Sequence, residues 1–193
     1  MMKKIFALLL ACATLLLSVS CAKNAGDAPE GYKLASNDAL CDYALYVPGA
    51  WVTESGDSNY TIGTISGADK STLSVAKIDS VYADTLDDYW KSCKEDYAFL
   101  SDFTVISQGK NEKGEDVEWE KVTVGSGDRA QTGFRYVFTG KFNGTEYKYQ
   151  QIFLIHGGVF SSSLYCITYT AKAASYDMHL ETVTAALGYF YFK

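Results

Sequence analysis

The clearest periodicity in the chain runs from Phe134 to Thr170. Phe134, Tyr136, Phe138 and Phe142 fall on one parity, with Arg135, Thr139 and Lys141 on the other. Such alternation predicts a half-buried strand. Asn143-Gly144 supplies the two positive-φ residues of a tight hairpin turn, and Thr145 to Ile155 returns. Counting outward from the turn sets Lys141 opposite Glu146, Gly140 opposite Tyr147, Phe138 opposite Tyr149 and Phe134 opposite Phe153. Charge then meets charge and ring meets ring. A second reversal at Gly157-Gly158 leads into Val159 to Thr170, where Tyr165, Ile167 and Tyr169 alternate again.

Upstream, Tyr32 to Ala35 and Cys41 to Val47 read as short extended segments ended by Pro48-Gly49, with Trp51 as an anchor behind them. Glu54 to Asn59 reads as a polar turn, and Tyr60 to Ser66 and Leu73 to Ile78 as strands. The period changes at Thr85, where Thr85-Leu86-Asp87-Asp88 resembles a capping box. Leu86, Trp90, Cys93, Tyr97 and Leu100 then recur at helical spacing, which predicts a helix over 85–100. Phe103 to Gln108 and Asp116 to Val124, the latter carrying Trp119, return to strand. Tyr176, Leu180, Val183 and Leu187 predict a second helix over 175–187, with Tyr189 to Phe192 extended at the end. Two amphipathic helices need a surface to bury against, and Ile152 to Ile155 is apolar on both parities, so the sheet is covered on both sides there. The predicted fold is α+β: a three-layer α/β/α sandwich with a central antiparallel sheet.

The front of the chain is different. Met1-Met2-Lys3-Lys4 and the uncharged apolar run Ile5 to Leu17 form an export signal over residues 1–20, too short for a spanning helix. Leu17-Ser18-Val19-Ser20-Cys21 resembles the lipobox of bacterial lipoproteins, whose cysteine receives a diacylglyceryl thioether. Ser18 stands where that family usually carries Leu. Leu9-Leu10-Ala11-Cys12 fits locally but leaves an apolar core of only seven residues, so Cys21 is the expected lipidation site. Residues 21–31 are small and polar and read as a tether, followed by one domain over 32–193.

Without residues 1–20 the chain keeps fifteen basic and twenty-three acidic side chains, a formal charge of −8. Such a charge argues against a nucleic-acid partner and against electrostatic adhesion to anionic lipid, leaving the lipid on Cys21 as the membrane attachment. Cys41, Cys93 and Cys166 remain in the domain. Three is an odd number, so at most one disulfide forms, and buried free thiol is the commoner state for such positions.

Candidate chemistry is sparse. His156 and His179 are the only bases that could serve a nucleophile. Ser161-Ser162-Ser163 lies near His156 in sequence, but no strand-turn-helix elbow surrounds it. Asp84, Asp87 and Asp88 suit a helix N-terminus, and Asp57, Asp69 and Asp79 are scattered over loops, so no metal site is predicted. Gly125-Ser126-Gly127 lacks the lysine and following helix that phosphate binding requires. No cofactor is predicted.

YALYVPGAW (Tyr43 to Trp51), TLDDYW (Thr85 to Trp90) and LYCITYTAKAASYDMHLETVTAALGYFYF (Leu164 to Phe192) together resemble PsbP-like domains over nearly the whole domain. These are structural motifs and speak to fold more than to activity. The understood members bind other proteins, and a nuclear Ran-binding factor shares the sandwich. The resemblance therefore implies a non-catalytic binding or accessory module with a protein partner, and the export signal and lipobox place it on the extracytoplasmic side of a bacterial membrane. Trp51, Tyr147 and Tyr149 are the aromatic candidates for a partner surface. The alternative is a small-ligand pocket or a cryptic hydrolytic site within the sandwich.

Overall fold

The computed structural model describes residues 28–56, 60–78, 86–158 and 161–193. The export signal, Cys21, most of the tether and the Thr85 cap fall outside these. In chain order the strands before the first helix are β1 (Tyr32–Leu34), β2 (Tyr43–Ala44), β3 (Tyr46–Pro48), β4 (Val52–Ser55), β5 (Tyr60–Thr64) and β6 (Thr72–Ile78). Helix α1 (Leu86–Asp96) runs into a 3-10 turn, Tyr97–Phe99. Then come β7 (Ser101–Val105), β8 (Gly109–Lys110), β9 (Asp116–Val117), β10 (Glu120–Val124), a 3-10 turn at Gly127–Arg129, β11 (Gln131–Phe142), β12 (Thr145–Gly158), β13 (Ser161–Lys172), α2 (Tyr176–Gly188) and β14 (Tyr191–Phe192).

The central hairpin has the predicted register. Asn143 and Gly144 take φ of 49° and 77°, the pair a two-residue turn with the right twist needs. Lys141 pairs Glu146, Gly140 pairs Tyr147, Phe138 pairs Tyr149 and Phe134 pairs Phe153. Eight antiparallel strands form the main sheet in the order β10-β11-β12-β13-β6-β5-β4, with β7 beside β11. β10 and β7 share one edge of β11: β10 covers Gln131 to Arg135, and β7 covers Phe138 to Lys141.

Because side chains alternate across a strand, β12 and β13 feed two cores. On one face Ile152, Leu154, Tyr165, Ile167 and Tyr169 pack with Tyr176, Val183, Ala186 and Leu187 of α2 and with the N-terminal Tyr43, Leu45, Val47 and Trp51. On the other, Tyr136, Phe138, Tyr149, Phe153 and Cys166 pack with Trp90 and Cys93 of α1 and with Tyr97 and Leu100 just after it. The predicted stripe is the buried face, but the helix expected to 100 ends at Asp96, and Tyr97 and Leu100 carry the face on through the 3-10 turn; each such side chain contributes about 1.5–3 kcal/mol. The result is a three-layer sandwich, as the sequence implies.

Three local readings are corrected. Val52 to Ser55 is an edge strand paired with β5, where a polar turn was expected from Glu54. Its outward positions, Val52 and Glu54, are exposed, so the alternation carries no apolar face to betray it. The single strand expected over Cys41 to Val47 breaks at Leu45, whose carbonyl accepts the Ala35 N–H at 2.7 Å. The break lets β2 pair with β14 and β3 pair with β1. The strand expected over Asp116 to Val124 also divides, at Glu118-Trp119, and β9 pairs with β8. At Ser175 the expected N-cap has the position but its side chain makes no capping bond.

Candidate functional site

Helix α1 is clasped to the sheet by a reciprocal exchange of indoles and carboxylates. Trp90 on the helix donates its Nε1–H to Glu118 at 2.7 Å, and Trp119 next to Glu118 donates its own to Asp87 on the helix at 2.8 Å. Lys94 adds a third contact to Glu118 at 2.7 Å. Burial raises the Glu118 carboxyl, but the hydrogen bonds from Lys94 and Trp90 prevail and hold it below the usual carboxylate range. At the far end of the helix Tyr97 donates to Gln151 Oε1 at 2.6 Å, and Leu100 occupies the space above Gly140, where an added Cβ would come within 2.9 Å of Leu100 Cβ. These contacts seat α1 over β11 and β12.

On the α1 side, the remaining half of the sheet carries small polar residues. Thr168, Ser74 and Ile62 lie abreast across β13, β6 and β5, and Thr170, Thr72 and Thr64 form the next row. Between this floor and the wall made by Tyr97, Phe99 and Leu100 lies a cleft of about 60 Å³. Phe99 on its rim is 43 % exposed and sits edge-on to Phe142, ring centroids 6.0 Å apart. A volume of that order holds about two waters, well short of the roughly 300 Å³ or more that encloses a small molecule. The cleft can seat side chains of a docking partner, and its lining carries hydroxyls, an amide and rings with no charge.

Of the aromatic residues nominated from sequence, Tyr149 lines this cleft and Trp51 lies across the sheet from it. Trp51 is 6 % exposed and belongs to the α2-side core, while Tyr149 is 8 % exposed in the α1-side core, stacked on Phe138 with centroids 4.8 Å apart. Tyr147 is half-buried beside it. The sheet separates Trp51 from the two tyrosines, so no exposed cluster joins them. They were nominated as large rings, but a sheet covered on both faces takes large rings inside. Phe99 and the Thr72 and Thr170 hydroxyls were missed. The signal for the hydroxyls is in the alternation: Cys166, Thr168 and Thr170 form the other parity of the strand on which Tyr165, Ile167 and Tyr169 recur.

The two histidines have structural partners. His156 stacks on Phe192 with centroids 3.9 Å apart, and His179 Nε2 lies 2.9 Å from Asp69 Oδ2. Asp69 in turn accepts the Ser71 N–H at 3.0 Å and the Ser71 hydroxyl, so Ser71 is bonded to the carboxylate and not to the imidazole. Asp42 accepts from Lys77 at 2.7 Å and from Tyr165 at 2.6 Å. Burial lifts the Tyr165 phenol to about 12. Cys41, Cys93 and Cys166 are free and buried, and no cluster of three or more metal-ligating side chains occurs among the described residues.

No family model and no curated protein sequence matches the chain. Solved structures do. LpqN of Mycobacterium tuberculosis, described as involved in cell envelope biogenesis, superposes with a TM-score of 0.56 at 13 % identity, over 84 % of this chain and 90 % of its own. The cyanobacterial PsbP of Synechocystis sp. PCC 6803 gives 0.50 at 10 % identity over 90 % of this chain and 99 % of its own. The Saccharomyces cerevisiae Ran-binding protein Mog1p gives 0.50 at 10 % identity over 81 % and 90 %. With a large antiparallel sheet between two helices and these structural neighbours, the chain has the PsbP/Mog1-like fold.

Proposed function

We propose that this chain is an exported lipoprotein, anchored through Cys21, whose domain acts as a non-catalytic accessory module by docking a protein partner. The observation that carries the reading is the half-open sheet: α1 is clasped over β11 and β12, which leaves Phe99 exposed and the Thr72 and Thr170 hydroxyls half-buried at the mouth of a shallow cleft whose floor, Ser74 and Thr168, is buried. Shallow amphipathic surfaces of this kind suit a protein better than a metabolite. LpqN and Mog1p, both of this fold, carry an envelope role and a Ran-binding role by description, which is consistent with an adaptor. The alternative of a hydrolytic pocket has less support, since both imidazoles are committed to Phe192 and Asp69.

Photo-crosslinking tests the docking. A benzophenone side chain at Phe99 should give one discrete, saturable adduct in intact cells, and Thr72→Arg with Thr170→Arg should abolish it. A featureless smear, or an adduct indifferent to the arginines, would remove the cleft from the interface. The anchor is tested separately: Cys21→Ala should stop incorporation of labelled fatty acid and leave the circular dichroism of the domain unchanged. Continued labelling would move the acceptor to Cys12 or elsewhere.

A further inference from the structure

On the other side of the sheet, where β10 and α2 both end, the surface is recessed. Ser126, Arg129, Tyr46 and the run from Gly188 to Tyr191 surround an open space of about 170 Å³, and Pro29 forms part of its wall. The Arg129 guanidinium lies over the Tyr191 ring, 4.1 Å from its centroid, and is exposed. Arg129 makes no ion pair among the described residues. Tyr189 is 39 % exposed and meets Tyr32 edge-on at 5.0 Å. The acidic neighbours in sequence are Glu30 and Asp128, both exposed.

We propose that this recess is the face on which the domain rests against its own bilayer, with Tyr32, Tyr189 and Tyr191 at headgroup level and Arg129 taking a lipid phosphate. The inference rests on the acylation of Cys21 proposed above. Its ground is the length of chain between anchor and fold. Seven residues lie between Cys21 and Pro29, and the eight steps from one to the other span at most about 28 Å fully extended. A domain of this length has a radius of gyration near 15 Å and is about 40 Å across. The tether is therefore shorter than the domain is wide. Turning the recess outward would lift Pro29 higher than the tether reaches, so the hemisphere around Pro29 stays against the headgroups.

That hemisphere has the matching chemistry. Tyrosine favours the membrane interface, where its ring lies in the apolar boundary and its hydroxyl stays wet. Arginine takes phosphate oxygens with two parallel donors. The net negative charge of the chain gives no general pull toward anionic lipid, so orientation depends on these few groups. It also has a use: Phe190 at the recess belongs to the α2-side core, so resting here leaves the α1-side cleft facing away from the membrane.

The test uses the acylated full-length chain in vesicles of phosphatidylethanolamine and phosphatidylglycerol. Nitroxide labels are placed at Ala130→Cys beside the recess and, separately, at Lys172→Cys on the α1 side, both positions being exposed while the native thiols are buried. Collision with a water-soluble nickel chelate should be suppressed at 130 and free at 172. Arg129→Glu with Tyr189→Ser should shift the docked-to-free ratio by about fivefold or more, the weight of one cation near an anionic surface. Equal collision at both sites in an acylated chain would overturn this inference alone. Absence of lipid on Cys21 by mass spectrometry would overturn the anchoring and this inference with it. Suppression at 130 on native membranes but not on the vesicles would assign the recess to a protein and overturn the lipid assignment.

Discussion

Asp42, Asp69 and Glu118 share one electrostatic habit. Burial pulls each carboxyl upward, but hydrogen bonds from Lys77 and Tyr165, from Ser71 and His179, and from Lys94 and Trp90 outweigh it, so all three lie below their ordinary values. A carboxylate lowered by folding contributes stability that is present above its unfolded value near 4 and is lost as pH falls through the folded value. The urea midpoint should hold from pH 7 to about 5 and drop below about 4. Asp42→Asn should lower stability at pH 7 by only about 1 kcal/mol, because the pair it breaks is partly solvated, and should flatten part of the acid limb. A midpoint that stays level to pH 2 would show that none of the three is linked to folding. The thiols behave oppositely. Burial pushes Cys93 up to about 11 and Cys166 up to about 12, so only about a thousandth of Cys93 is thiolate at pH 8. Mass spectrometry after brief alkylation at that pH should find both unmodified in the native state and modified in urea.

At the scale of elements, legibility followed locality. The Asn143-Gly144 turn, the register of β11 with β12 and the stripes of both helices were written in the sequence, because each depends on neighbours a few residues away or directly across one turn. β4 and the break at Trp119 were not. β4 exists because β5 offers it an edge, and the break exists because Trp119 must turn to reach Asp87. The candidate cleft was hidden for the same reason: the hydroxyls on β13 and β6 become a floor only once α1 is seated elsewhere. Trp90 should therefore matter more than its single hydrogen bond suggests. Trp90→Ala should cost about 3–5 kcal/mol and loosen α1, read as an early melting transition by near-ultraviolet circular dichroism. Gly109→Ala is the sharper test of how β8 packs, since its Cβ would clash with the Trp119 carbonyl oxygen. It should destabilise by more than the roughly 1–3 kcal/mol of a simple overpacking, and a neutral result would mean that β8 and β9 yield freely.

Over the whole molecule, β2 pairs with β14, and the Lys193 N–H donates to the Asp42 carbonyl at 2.9 Å. Tyr43 stacks on Phe190 with centroids 5.8 Å apart. The front of the domain is thus zipped to its back. A polypeptide synthesised front first delivers Tyr43 early and Phe192 late, and until then β2 lacks its strand partner and the α2-side core lacks a wall. Non-local closure of this sort makes folding slow, so the nascent domain stays incomplete until Tyr191 and Phe192 have been made.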